Sequence, residues 1–250
     1  MSEVLRTVDA DGVCELRLNR PHKRNAITLS MYEALTAALA AAEADDAVRV
    51  VLIGGEGAGF CAGNDLKDFL ESPTLDAAHP ALRFMHGLAG FSKPLVAAVH
   101  GRSVGIGVTL LLHCDLVVAA RTAELSLPFV ALGLVPELGS TLLLPRLVGA
   151  TRAAGMLLLG DPLDAPAAQD CGLVSRVVEE DALRAESRAL AGRLAQQPRE
   201  ALLATRRLLR GDAAAVHACI DAEAQVFGAL LASPAFRARV SAFLGGARGG

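Results

Sequence analysis

The sequence predicts an α/β layer structure that gives way to a helical C-terminal region. Three observations carry this reading. Two short alternating runs, at 4–8 and 13–18, flank Asp11-Gly12, a dipeptide typical of tight hairpins. β-branched apolar runs recur at 48–53 and 94–99, the composition of strands covered on both faces. From Asp181 onward the strand pattern stops, and 181–196, 199–210, 213–232 and 234–244 all read as helices. The chain therefore divides into a core at 1–180 and a helical region at 181–250.

Each remaining element has a local cause. Ser30 with Glu33 three residues later forms a capping box for a helix over 31–44. GGEGAG at 54–59 follows a strand but lacks the Gly-Lys-Ser/Thr ending of a phosphate loop, so it reads as a surface turn. In GFCAGNDLKDF at 59–69, small residues lead into a polar turn, and a short helix starts near Asp65. Further strands are expected at 116–119 and 173–178.

Composition narrows the function. A formal net charge of −3 and no clustered basic run argue against nucleic acid or a membrane surface as partner. No apolar run approaches the roughly 18 residues of a membrane span, and MSEVLRTVDADG lacks a signal-peptide core. Cys14, Cys61, Cys114, Cys171 and Cys219 are odd in number, with no C-x-x-C pair, which fits free thiols in a reducing cytoplasm. Neither their spacing nor that of the histidines suggests a metal site.

The chemistry concentrates between residues 99 and 149. A Gly-rich turn, GRSVGIG at 101–107, opens an apolar helix, and a helix start offers backbone N–H groups to developing negative charge. Glu137 is a lone carboxylate in an otherwise uncharged run. The residues alone leave it open between a helix-end charge and a proton shuttle. GRSVG also matches the G-x-S-x-G nucleophile elbow, with Ser103 as nucleophile and His217 as its base. Against that hydrolase reading, no HGGG-type segment precedes it.

Taken together, NRPHKRNAI at 19–27, FCAGNDLKD, KPLVAAVHG, CDLVVA, PELG, LPRLVG and AAQDCGLVSRVV at 167–178 resemble the crotonase (enoyl-CoA hydratase/isomerase) superfamily along nearly the whole chain. The resemblance implies a crotonase-like spiral of ββα units. The C-terminal helical region would make trimer contacts, giving a homotrimer or a dimer of trimers. The ligand would be an acyl-CoA thioester, with coenzyme A part of the substrate and no separate cofactor. Its thioester oxygen would sit in an oxyanion hole made by the backbone N–H groups of Asn64 and Ile106. The Asn64 side-chain amide would also be in reach of substrate. His22, Lys23, Arg24 and Lys67 would approach the CoA phosphates and adenine, and Ala62 would line the path through its backbone. Residues 71–90 would form the lid.

The departures from the family pattern are as telling. The two glutamates that hydratases use to split water match Thr109 and Phe129 here, and neither side chain is a base near neutral pH. Glu137, eight residues after Phe129, looks like the single glutamate of the Δ3,Δ2-enoyl-CoA isomerase branch. Phe129, Leu132 and Val135 would keep its pocket dry, with Thr109 also lining it. An isomerase acting on a ring or epoxide CoA ester and a non-catalytic acyl-CoA binder are the alternatives. The tail offers only Arg248 as a late cation, so a contribution from a neighbouring C-terminus is doubtful.

Overall fold

A computed structural model of the chain describes residues 2–71 and 75–246. The core contains β1 (Val4–Val8), β2 (Val13–Leu18), α1 (Leu29–Ala44), β3 (Val50–Gly55), α2 (Leu66–Glu71), α3 (Pro80–Gly90), β4 (Leu95–Val99) and β5 (Arg102–Val104). It continues through α4 (Ile106–Thr109), β6 (Leu116–Ala120), β7 (Glu124–Ser126), α5 (Ser140–Val148), α6 (Ala150–Ala154), β8 (Leu163–Asp164), α7 (Ala165–Asp170) and β9 (Arg176–Val178). The helical region holds α8 (Leu183–Ala195), α9 (Arg199–Arg210), α10 (Ala213–Leu231) and α11 (Pro234–Gly246).

The large sheet runs β1-β2-β3-β4-β6-β9, antiparallel only at the β1–β2 hairpin. A second sheet runs β5-β7-β8. After β4 and again after β6 the chain crosses at once into the small sheet, as β5 and β7, before a helical segment returns it. Cys61, beyond the end of β3, bridges to Ser103 in the corresponding place. These repeats are the expected spiral of ββα units. Successive turns approach so closely that a Cβ on Gly101 would lie 2.3 Å from the Ala58 carbonyl oxygen, and its φ of 53° suits glycine alone.

The central strands are apolar throughout because both of their faces are covered. Val51 and Ile53 point into the main core with α1 and α3, while Val50 and Leu52 point the other way, into a cluster capped by Leu183, Ala191 and Ala195 of α8. Gly54 and Gly55, expected in a surface turn, instead complete buried β3. The 173–178 strand is shorter than expected. The Val174 amide bonds back to the Ala168 carbonyl, so strand geometry starts only at Arg176.

Two further corrections concern helices. The cap of α1 is Thr28, whose Oγ1 accepts from the Met31 amide at 3.2 Å, and Ser30 instead hydrogen-bonds the Thr28 hydroxyl. Thr28 has the extended backbone that an N-cap requires, whereas Ser30 already lies inside the helix. α10 is long and apolar enough to cross a membrane by length and composition, contrary to the sequence reading. Its buried residues Ile220, Glu223, Ala224, Phe227 and Leu231 face the protein, and 28% of its apolar window is buried.

Asn25 ties the first turn of the spiral together. It is fully buried, with φ 57°, and its Nδ2 donates to the carbonyls of Glu56, Gly59 and Phe60 while its Oδ1 accepts from the Arg20 amide. Removing it orphans several buried backbone groups at once. Asn25→Ala should therefore lower stability by about 2–4 kcal/mol, read as a reduced urea midpoint. A midpoint within error of wild type would contradict this role.

Candidate active site

The spiral brings two loops side by side. The Val104 amide donates to the Cys61 carbonyl at 2.9 Å, and the Cys61 amide to Arg102 O at 3.4 Å. At Gly107 any Cβ would stand 2.8 Å from Cys61 Cβ, so only glycine lets α4 lie this close. The first loop carries Asn64 and the second Ile106. Ile106 is the first residue of α4, where the amide has no intrahelical acceptor. Neither the Asn64 nor the Ile106 amide donates to an acceptor among the described residues. Two free N–H groups on abutting loops suit a developing oxyanion.

Glu137 is 3% exposed. Its carboxylate lies 3.4 Å from the Asn64 Nδ2 through both oxygens. Burial pushes its pKa up to about 8; the Asn64 amide pulls it down, and the nearby charge of Glu223 pushes it further up. The Asn64 carbonyl oxygen in turn accepts from the Tyr32 hydroxyl. Tyr32 is fully buried in α1 against Phe84, with ring centroids 5.3 Å apart. The Asn64 side chain thus joins Tyr32 to Glu137.

The backbone around Glu137 is unusual. Leu138 and Gly139 both have positive φ, 63° and 70°, and the Ser140 amide closes the turn on the Glu137 carbonyl at 3.2 Å. His113 Nε2 bonds the Leu138 carbonyl at 2.9 Å. Burial lowers the His113 pKa to about 4, so the imidazole is neutral and donates this bond. Glu223 of α10 accepts from the Gly139 amide at 2.6 Å, from the Thr141 amide at 2.9 Å and from the Thr141 hydroxyl at 2.6 Å. Sequence reasoning missed Tyr32, His113 and Glu223. Their relevance lies in contacts across 25 to 84 positions, and no local pattern signals it.

The expected lining residues divide. Thr109 is fully buried, with its hydroxyl unpartnered, and Phe129 is buried with its ring over Gly105, beside Ile106. Val135 packs on the main core. Leu132 is half-buried in a short turn, and its amide bonds back to Pro128 and Phe129. His22, Lys23, Arg24 and Lys67 are exposed, and none makes an ion pair among the described residues. The Arg24 carbonyl accepts from the Ala62 amide at 2.9 Å, which sets this basic segment beside the Asn64 loop.

The serine-hydrolase alternative, weighed against above, finds no support, and the expected lid needs correction. Ser103 is fully buried and its hydroxyl has no partner, while His217 is engaged by His86, whose Nε2 bonds Asp221. The hydrolase pair never meets, because Ser103 is locked in the small sheet and His217 belongs to the α3–α10 contact. Residues 80–90 of the expected lid form α3, a core helix with Phe84 and Leu88 buried against α1 and α10. Residues 72–74 of that lid and Arg248 lie outside the described residues. Among the described residues no three His, Cys, Asp or Glu side chains converge as a metal site.

The enoyl-CoA hydratase/isomerase family profile matches residues 9–246. The chain belongs to that family. It is 41% identical over 194 residues to the 1,2-epoxyphenylacetyl-CoA isomerase of Escherichia coli K12, covering 75% of this chain and 74% of that one. It is 38% identical over 233 residues to the 2,3-dehydroadipyl-CoA hydratase of the same strain, covering 92% and 91%. To enoyl-CoA delta isomerase 2 of Rattus norvegicus it is 36% identical over 205 residues, 80% of this chain and 52% of the relative. The solved structure of Pseudomonas aeruginosa OdaA superposes with a TM-score of 0.94 at 41% identity, covering 97% of this chain and 99% of that one. The protein is therefore a crotonase-fold CoA enzyme of the hydratase/isomerase type.

A buried carboxylate leaves a mark on stability. Glu137 has a folded pKa of about 8, well above its ordinary 4.5, so the folded state holds the proton more tightly than the unfolded state. Its contribution to stability is fully present below pH 4.5 and is lost as pH rises through 8. Glu137→Gln should match wild type near pH 5 and become the more stable protein by pH 9, by up to a few kcal/mol. Thermal unfolding at both pH values measures the gap, and a gap that does not widen with pH refutes the account.

Proposed function

We propose that the enzyme moves the double bond of a 3-enoyl-CoA to give the 2-trans-enoyl-CoA, with Glu137 as the sole acid/base. The observation that carries this reading is the placement of Glu137. It is a buried carboxylate with a proton affinity near neutrality, while Thr109 and Phe129 occupy both positions where hydratases of the family carry glutamates. The thioester oxygen would accept from the Asn64 and Ile106 amides. Unprotonated Glu137 takes a proton from C2, the electrons of that C–H bond pass into a dienolate, and the negative charge rests on the thioester oxygen. Collapse of the dienolate forms the C2–C3 double bond and returns the same proton from Glu137 to C4. No water enters the balance, and the dry surroundings of Phe129 protect the dienolate.

The binding of the CoA portion follows from the same layout. Lys23, Arg24 and Lys67 supply positive charge that makes no ion pair among the described residues, for its phosphates, with His22 beside them and Ala62 along the path. The reaction needs no cofactor beyond the coenzyme A of the substrate. Five free thiols support a reducing, cytoplasmic setting. A second substrate reading, an epoxide or ring CoA ester, is favoured by the unpartnered buried hydroxyl of Thr109, which could donate to a substrate oxygen.

We also propose closed self-association into a trimer or a pair of trimers. Leu158, Leu159, Leu208 and Leu209 stand 64–83% exposed, more apolar surface than a lone protomer should leave in water. Light scattering at micromolar concentration should give three or six protomers, and a monomer would refute it.

Turnover tests the chemistry. Glu137→Gln keeps the shape and removes the base, so isomerisation of 3-enoyl-CoA should fall about 10²–10⁴-fold with little change in CoA-ester binding. Wild-type hydration of 2-enoyl-CoA should be weak when measured alongside. Near wild-type isomerisation by the variant would return Glu137 to the role of a helix-end charge.

A further inference from the structure

The catalytic turn is not self-supporting. Leu138 adopts a left-handed backbone, with φ 63°, that is strained for a non-glycine residue. Such a conformation persists only where its surroundings hold it. The surroundings here are three: the buried Leu138 side chain, the neutral His113 on the Leu138 carbonyl, and Glu223 on the far side. Glu223 reaches in from α10, an element that begins 76 residues after Glu137 (213 against 137). One of its oxygens takes the Gly139 N–H, and the other takes both the N–H and the O–H of Thr141. Gly139 and Thr141 are the cap and second residue of α5, whose own cap has no side chain to serve it. A carboxylate from a distant helix thus replaces the missing capping group.

We propose that Glu223 is a positioning residue for Glu137, fixing where its carboxylate sits by clamping the Leu138–Gly139 corner and facing it with a fixed negative charge. The proposal rests on the reading of Glu137 as acid/base. Burial raises the Glu223 pKa, while the three donors from Gly139 and Thr141 act the other way and favour its ionised form. The other titratable groups around the pair are neutral near pH 7. Burial raises the pKa values of Tyr32 on α1, Cys61 on the Asn64 loop and Cys219 on α10, and lowers that of His113. Among the described residues Glu223 is therefore the charge that Glu137 feels, and it raises the Glu137 proton affinity.

Two variants separate its two effects. Glu223→Gln removes the charge and sets an NH₂ group against the Gly139 N–H. Glu223→Asp keeps the charge but withdraws it by one methylene. Both should lower kcat for 3-enoyl-CoA by about 10- to 100-fold while KM changes less than about threefold, a displaced base losing rate rather than binding. Only Glu223→Gln should shift the acid limb of the kcat/KM–pH profile to lower pH. Combining it with Glu137→Gln should cause no further loss of rate, because Glu223 acts through Glu137. If Glu223→Gln proves insoluble, the Glu223→Asp kcat and KM carry the test. Wild-type kcat in the Asp variant, an unmoved acid limb in the Gln variant, or additive loss in the double variant would each overturn the proposal. Full activity of Glu137→Gln alone would instead remove the reading on which it rests.

Discussion

The carboxylate of Glu137 has one side-chain donor among the described residues, the Asn64 amide, at 3.4 Å from each oxygen. A buried charge served so sparsely is costly, and most buried carboxylates escape that cost by recruiting an arginine or several amides. This one does not. Its poor solvation raises its proton affinity, which on the proposed reading suits a base that takes a proton from carbon. Much of the surrounding architecture holds this ill-solvated group still: Tyr32 behind Asn64, the left-handed corner after Glu137, and α10 beyond.

The other half of the chemistry comes from the spiral itself. Each turn places a loop where the chain passes between the sheets, and close packing of successive turns leaves two amides without partners. No side chain is needed there, which is why an isoleucine and an asparagine can occupy positions of functional weight. On the proposed reading the backbone supplies the electrophile and Glu137 the base, while Thr109 and Phe129 leave no second carboxylate to hold a water.

The larger elements were legible because their causes are local. Covered strands must be apolar on both faces, so β3 and β4 stand out as β-branched runs, and the hairpin declares itself through Asp11-Gly12. The small sheet was not legible. Its strands are two or three residues long, too short for any periodicity, and owe their geometry to neighbouring turns. Glu137 stood out as a lone acid, but its role could be favoured only through the likeness to a family. Glu223 lies two residues from exposed Asp221 on a helix of ordinary composition, and its burial depends on how α10 packs. Asn25 was not singled out in the sequence, because its three carbonyl contacts lie more than 30 positions away.

The position of α10 along the chain also bears on the order in which the protein comes into being. When the first 180 residues have left the ribosome, both sheets, the two amides and Glu137 have all been synthesised. The Leu138 corner still lacks its outer support, and the face that Phe227 covers beside Phe69 is bare. A chain ended before α10 would lack Glu223 and, with it, the three hydrogen bonds that hold Gly139 and Thr141.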